Sequence, residues 1–444
     1  MTKALPLALL GLLSFPVAAA SPHVAQLVML GPIPLDFILF ACVLVGIALF
    51  HHRTFEVAVT GLAVIILYKS LITGTSQGPG LSGVLAVFGH EWVTLANLFF
   101  LLMGFALLSK HFEDSHVPAV IPRYLPGGWQ GGFVLLVMVF VISSFLDNIA
   151  AALIGGTIAA AVFKGKVHIG YLAGIVAASN AGGSGSVVGD TTTTMMWIDG
   201  VNPLQVLDAY VAAGTALCIF GVIAARQQHA YAPIERDVPA DVRIDVGRVA
   251  VVAFILVAAV LANVVANLRF PQLLDDFPVI GVAVVAAILM TAPVRRPDWS
   301  LLGSSLKGTL FLLSLVSCAS LMPVEHLPPA SWPTTLGLGF VSAVFDNIPL
   351  TSLALHQGGF DWGMLAFAVG FGGSMIWFGS SAGVALSNQF PEARSVGLWL
   401  RHGWHVAVAY VVGFFVLLAV LGWHPEPKRV KGQGIPPAAV QPAH

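Results

Sequence analysis

The stretch Ser179-Asn-Ala-Gly-Gly-Ser-Gly-Ser-Val-Val-Gly-Asp190-Thr-Thr-Thr-Thr194 constrains this chain more than any other. An apolar run, 169–178, precedes it and another, 195–198, follows it; each is too short to cross a bilayer, whereas together they reach across one. A helix with glycines, an acid and a polar row at its middle is a broken helix. Hydrocarbon offers a freed backbone no hydrogen bonds, so such a break survives only inside protein or beside a water-filled cavity. It marks a binding site in the middle of a membrane.

The rest of the chain supplies that membrane setting. With 57% hydrophobic and 9% charged residues over 444 positions, the repeated apolar runs exceed what a soluble core absorbs, and an all-α polytopic membrane protein embedded in a lipid bilayer follows. A formal net charge of -1 without any basic block argues against a nucleic-acid partner. Cys42, Cys218 and Cys318 sit singly in apolar runs, which points to packing and to no disulfide frame or resident cofactor. Lys3, the apolar stretch 4–15 and Ala18-Ala-Ala20-Ser21 have the form of a signal peptide over residues 1–20. A leader before a multi-pass chain places it in a bacterial-type inner (cytoplasmic) membrane.

Crossings of ordinary length are expected at 35–50, 57–72 and 92–109. Two shorter arms, 133–146 and 149–163, meet at Asp147-Asn148 and suit a re-entrant hairpin better than two spans. The broken helix and a crossing at 207–225 complete a first repeat, 21–225. A mixed-charge cytoplasmic linker, 226–248, leads to a second repeat, 249–424. There, crossings at 249–266, 279–294 and 309–321 precede short arms 333–345 and 348–355, joined at Asp346-Asn347. A helix from 363 then breaks over Gly372-Gly-Ser-Met-Ile-Trp-Phe-Gly-Ser-Ser-Ala-Gly383 before the last crossing, 406–421, and a polar tail, 425–444. Arg53, Lys110, Arg123, Lys164, Lys166, Arg295, Arg296, Lys307, Arg394 and Arg401 fall in the proposed internal segments, while the outer segment 73–90 has no Lys or Arg. The basic tail, Lys428-Arg-Val-Lys431, is the misfit, placed outside.

The two halves repeat each other. Ser143-Ser-Phe-Leu-Asp-Asn-Ile answers Ser342-Ala-Val-Phe-Asp-Asn-Ile, and Gly182, Gly183 and Gly189 answer Gly372, Gly373 and Gly379 at the same spacing. One hairpin enters from inside and the other from outside, the inverted-topology repeat of secondary transporters, whose sites lie where discontinuous helices meet at the midplane.

Asp147, Asp190 and Asp346 fall near the centre of that region with no Lys or Arg in the hairpins or breaks to pair with them. An ionised carboxylate there costs about 2.5–3.5 kcal/mol. Each must be protonated or hold a cation, so proton and metal ion compete for one group. Asn148, Asn180 and Asn347 add amide oxygens, and Thr191, Thr192, Thr193, Ser380 and Ser381 add hydroxyls; this all-oxygen set suits the small hard cations Na+ and Li+ rather than a soft transition metal. A plainer reading competes at each position. Asp190 can cap the second half-helix, Asp147 and Asp346 can cap hairpin arms, and the threonines can bond back to the helix backbone. His402 and His405 read as interfacial, and Glu91 and Asp36 as acids at helix starts. No nucleophile elbow or zinc-helix signature marks a catalytic site, so the chain reads as a transporter and not an enzyme.

At Leu146-Asp-Asn-Ile149, Asn180-Ala-Gly-Gly183 running to Gly189-Asp-Thr-Thr-Thr193, Phe345-Asp-Asn-Ile-Pro-Leu350 and Gly373-Ser374 running to Gly379-Ser-Ser-Ala-Gly-Val384, the chain resembles the NhaD-type sodium/proton antiporters of the ion transporter superfamily. Arsenite, citrate and dicarboxylate carriers belong to the same superfamily. The likeness is close over 133–197 and 339–388 and elsewhere is only an apolar pattern. It implies functional roles for Asp147, Asn148, Asn180, Asp190, Thr192 and Thr193, with Asp346, Asn347, Ser380 and Ser381 from the second half. It also implies an elevator-like homodimer. Ser184-Gly-Ser-Val-Val188 departs from the aromatic and proline that the family has before Gly189-Asp190, which bears on ion preference. Sodium or lithium exchange for protons is the expected activity, with an anion carrier of the same fold as the alternative.

Overall fold

The computed structural model describes residues 27–50, 53–234 and 243–427, which are helical nearly throughout. The expected leader and the basic cluster of the tail lie outside the described residues. A two-stranded ribbon, Met29–Leu30 against Ile33–Pro34, leads into the first helix. In chain order the main helices are α1 (Leu35–Leu49), α2 (Thr54–Tyr68), α3 (Gly80–Glu113), α4 (Trp129–Ser143), α5 (Asn148–Val162), α6 (Ile169–Ser184), α7 (Thr191–Ile198) and α8 (Ala209–Tyr231). They continue with α9 (Val246–Arg269), α10 (Val279–Thr291), α11 (Leu301–Ser320), α12 (Trp332–Ser342), α13 (Asn347–Gln357), α14 (Trp362–Gly372), α15 (Ser381–Gln389) and α16 (Val396–Leu421). Among the described residues, 6 helical stretches are long and apolar enough to span a bilayer, so this is a multi-pass membrane protein.

Several helices outrun the sequence-based expectation. α3 has 34 residues, so most of the segment expected as an outer loop, 73–90, is helix from Gly80 onward. At 1.5 Å per residue it is roughly 51 Å long, well beyond a hydrocarbon core of about 30 Å. His90 and Glu91 do not interrupt it, because single polar side chains sit on a helix without breaking its hydrogen bonds. α11 and α16 start at Leu301 and Val396 for a related reason: Lys307 and Arg401 are carried on helix faces. α8 runs through Arg226 to Tyr231 and α9 begins at Val246, so both ends of the expected linker 226–248 are helical. Cys318 is buried as a packing residue, but Cys42 and Cys218 are exposed, contrary to expectation.

The apolar side chains form two clusters. The smaller joins α1, α2, the first turns of α3 and the end of α11 around Phe40, Ala58, Val84 and Leu315. The larger holds the remaining helices, with α6 and α14 at its centre, buried along nearly their whole length. α4 pairs with α5, and α5 packs on α15; α13 packs on α7; and α6 lies against α14. Each hairpin arm that follows an Asp-Asn pair therefore rests on the far piece of the other half's broken helix.

Glycines permit the closest approaches. A Cβ on Gly182 would lie 2.0 Å from the Phe140 carbonyl oxygen, and one on Gly372 2.3 Å from that of Gly339. Gly189 and Gly379 would meet the Ser143 and Ala343 oxygens at 2.2 and 2.5 Å, and Gly183 and Gly373 the oxygens of Gly189 and Gly379 at 2.7 Å each. Ser143 donates to the Ser179 carbonyl at 2.5 Å, and Ser342 to the Val369 carbonyl at 2.7 Å. Closely similar contacts thus recur around the two glycine sets, the Gly379 contact falling one residue further along than that of Gly189.

Candidate functional site

The chain stops being helical after Ser184 and resumes at Thr191, and again between Gly372 and Ser381. Each restart has an extended residue with an oxygen-bearing side chain. Asp190 accepts the Thr192 N–H at 3.0 Å, and Ser380 the Gly383 N–H at 3.3 Å, satisfying donors that a helix start leaves open. Thr193 and Thr194 hold the first break from the other side. Their hydroxyls donate to the carbonyls of Ser186 and Val187, at 2.6 and 2.9 Å, and of Asp190, at 2.9 Å each. The threonine row thus bonds back to the backbone at two of its members.

Capping uses only one oxygen of Asp190. The other, Oδ2, accepts from the Asn148 amide at 3.2 Å and the Asn347 amide at 3.4 Å, one from each hairpin tip. Asn148 also donates to the Asn180 side-chain oxygen at 3.1 Å, and Asn180 donates to Ser374 at 2.9 Å and Ser380 at 3.0 Å. One network therefore joins both hairpins and both breaks, linking residues 200 apart in sequence. It is closed to bulk solvent: Asn180, Thr192 and Thr193 are 0% exposed, Ser380 1% and Asp190 2%. The Thr192 hydroxyl faces the Asp190 carboxylate but forms no bond of good geometry there.

Asp346 makes a second, adjoining constellation. It caps α13 through Ile348 N–H at 3.0 Å and accepts from the Ser381 hydroxyl at 3.1 Å. Asp147 begins α5 without a side-chain cap bond. Both hairpin acids are near enough to act electrostatically on Asp190. Among the described residues none of the three carboxylates is in an ion pair. What the arrangement offers chemically is a buried carboxylate oxygen surrounded by amide and hydroxyl groups, with two further acids alongside.

The structure brings together Asp147, Asn148, Asn180, Asp190, Thr192, Asp346, Asn347, Ser380 and Ser381; Thr193 buttresses the break. Sequence reasoning passed over Ser374, although it directly follows the paired glycines. Its hydroxyl meets Asn180, and its carbonyl accepts the Trp399 indole N–H at 3.3 Å. The equivalent of Asn180, at the same distance before the second break, is Gly370, where a Cβ would lie 3.5 Å from Asp190 Oδ2. The two breaks thus contribute unequal groups, an amide and a carboxylate from one, hydroxyls from the other. A buried ion pair was also passed over. Lys69, in a π-helical turn after α2, meets Asp36 in α1, and the two are 2% and 1% exposed. In sequence Asp36 looked like an ordinary acid at a helix start.

The chain is similar to known transport proteins over much of its length. The chain is 26% identical over 386 residues to sodium/proton antiporter 1 of Arabidopsis thaliana, covering 76% of this chain and 64% of that protein, slightly under two thirds of its length. It is also 26% identical to the Na(+)/H(+) antiporter NhaD of Alkalimonas amylolytica, covering 76% of this chain and 79% of that one. A third similarity, again 26%, is to the NhaD of Vibrio parahaemolyticus over 58% of this chain and 72% of that protein. The sequence model described as citrate transporter matches residues 25–421, which takes in both hairpins, both breaks and the network between them. On that match the chain belongs to the citrate transporter family of membrane transport proteins.

Proposed function

We propose that the chain is a secondary transporter exchanging Na+ or Li+ for H+ by alternating access at the Asp190 network. The carrying observation is that Asp190 is 2% exposed, unpaired by any Lys or Arg among the described residues, and faced by oxygen-bearing groups from both halves. A carboxylate so placed is stable when protonated or when a cation neutralises it, and one site that accepts either exchanges one for the other. Asn148 and Asn347 at present donate N–H to Asp190; rotating either amide turns its oxygen inward, which suits a bound cation. The names of the relatives support this reading.

The same proposal includes two inverted repeats with re-entrant hairpins. Support comes from arms of 15 and 15 residues in one half and 11 and 11 in the other, all short of the roughly 20 needed to span, and from the matched glycine and serine contacts. The sidedness follows positive-inside logic and puts the Lys166 end of α8 in the cytoplasm of a bacterial-type inner membrane and its Gln205 end outside. A homodimer is the assembly that the family resemblance suggests.

In everted vesicles energised to hold an acid interior, adding Na+ dequenches a pH probe in the wild type and fails to do so in Asp190→Asn. Equal dequenching by both proteins overturns the site. A second reading, an anion carrier, is favoured by the description of the matching family. It is opposed by Asp147 and Asp346 standing near Asp190, three acids whose combined charge repels a carboxylate substrate. Vesicles that accumulate citrate or arsenite but show no Na+-driven pH change choose it.

A further inference from the structure

Next to Asp346, and outside the sealed Asp190 network, is a cavity of about 250 Å³ between the two apolar clusters. Leu44 and Ile47 of α1 and Phe311 and Leu315 of α11 form one wall; Phe345, Phe378 and Ala385 form the other, with Asp346 and Ser381 as its polar groups. Thr54, at the start of α2, is the other polar side chain on its lining, and no lysine or arginine among the described residues lines it.

From this we propose that the cavity is a binding site for small organic ammonium ions with an aromatic or branched apolar body. The chemistry is complementary on both counts. A stripped alkali ion finds one carboxylate and two hydroxyls there, too few side-chain oxygens to replace its water. An ammonium needs only the carboxylate, because its remaining surface is apolar and fits phenyl walls, whose faces attract a cation. The Asp346 oxygens are already oriented, by Ile348 N–H and Ser381 O–H at 3.0 and 3.1 Å. Because its walls come from different helices, an occupant wedges between α1, α2 and α11 on one side and the second hairpin on the other and arrests any movement of one past the other.

The test uses purified full-length protein in detergent and two probes of equal size, 2-phenylethylammonium and uncharged 2-phenylethanol, at pH 7. Phenylethylammonium is expected to raise the thermal unfolding midpoint saturably, at a concentration at least tenfold below any effect of phenylethanol. Asp346→Asn removes that difference. Ala385→Phe, which fills the cavity, raises the half-saturating concentration at least tenfold; should that variant not fold, Phe378→Leu reads the lost aromatic wall as a shift of a few-fold. An equal response to both probes, or an unchanged response in every folded cavity variant, overturns the proposal. Binding is read without any ion gradient, so its failure and the failure of sodium–proton exchange are separate results.

Discussion

Asp190 combines two tasks that a sequence reader treats as rivals. One oxygen caps α7 and the other faces both hairpin tips, so the cap fixes the direction of the oxygen that meets the asparagines. Asp190→Asn keeps the shape and a capping oxygen while removing the charge; transport is expected to fall below one hundredth of wild type with the protein still folded, as read by size-exclusion profile. Asn180 is the other hinge of the network. Asn180→Ala leaves Asn148, Ser374 and Ser380 short of a partner in an interior closed to bulk solvent, which costs about 1–3 kcal/mol per unsatisfied group and is expected to lower the unfolding midpoint as well as exchange. Glycines are tested against each other. Gly182→Ala drives a methyl into the Phe140 carbonyl, whereas Gly214 has nothing within 4 Å. Gly182→Ala is expected to destabilise by about 1–3 kcal/mol and Gly214→Ala to be neutral in the same melting experiment.

Pairs of helices are held by charges that only look solvated in the sequence. Lys69 and Asp36 bind the π turn after α2 to α1 within the smaller cluster. Removing one partner strands a buried charge, at about 3–5 kcal/mol, whereas replacing both with apolar groups is often neutral. Lys69→Met is therefore expected to destabilise strongly and Lys69→Met with Asp36→Leu to recover, with exchange intact because neither contacts the Asp190 network; no recovery in the double variant contradicts this. Asp245 does similar work at the polar end. Its carboxylate accepts from Arg295 at 3.1 and 3.2 Å and caps α9, and its N–H donates to the Ser115 carbonyl at 2.9 Å. The Arg295 guanidinium holds the Asp245 carboxyl below its usual range. A depressed acid stabilises the fold above its unfolded pKa and loses that contribution as pH falls through the folded one. Amide protection at 246–248, taken relative to the intrinsic exchange rate at each pH, is accordingly expected to fall as the solution is acidified below about pH 4, and Asp245→Asn to show that lower protection already at neutral pH.

Sidedness belongs to the assembly of all the helices. α8 starts at Ala209, just after Gln205, whose side chain meets Glu426, and ends at Tyr231, just past Gln228, which holds the Lys166 carbonyl at 3.0 Å. Segment 359–361 pairs with 424–426 through Gly359 N–H to the Glu426 carbonyl at 2.9 Å and His424 N–H to Asp361 at 2.8 Å. The chain after α16 is thus tied to the Gln205 end, the end proposed to be outside. On a cysteine-free background, Leu204→Cys is expected to react with a membrane-impermeant maleimide in intact cells and Tyr231→Cys only in everted vesicles; both residues are exposed. Labelling of both from one side contradicts the layout.

Helix breaks, acids without basic neighbours and the doubled Asp-Asn and glycine motifs were legible because each violates what hydrocarbon permits, and a violation is visible in one dimension. Asn180, Asp190 and Asn347 could be named from the chain alone on that basis. Which of them touch could not, because α5 crosses to α15 and α13 to α7, and pairing between residues 157 or 200 apart arises only when the halves interlock. Ser374, the Lys69–Asp36 pair and the cavity beside Asp346 stayed hidden for the same cause. Their meaning comes from what stands opposite them, and a side chain's partner across a helix interface has no signature in its own sequence neighbourhood.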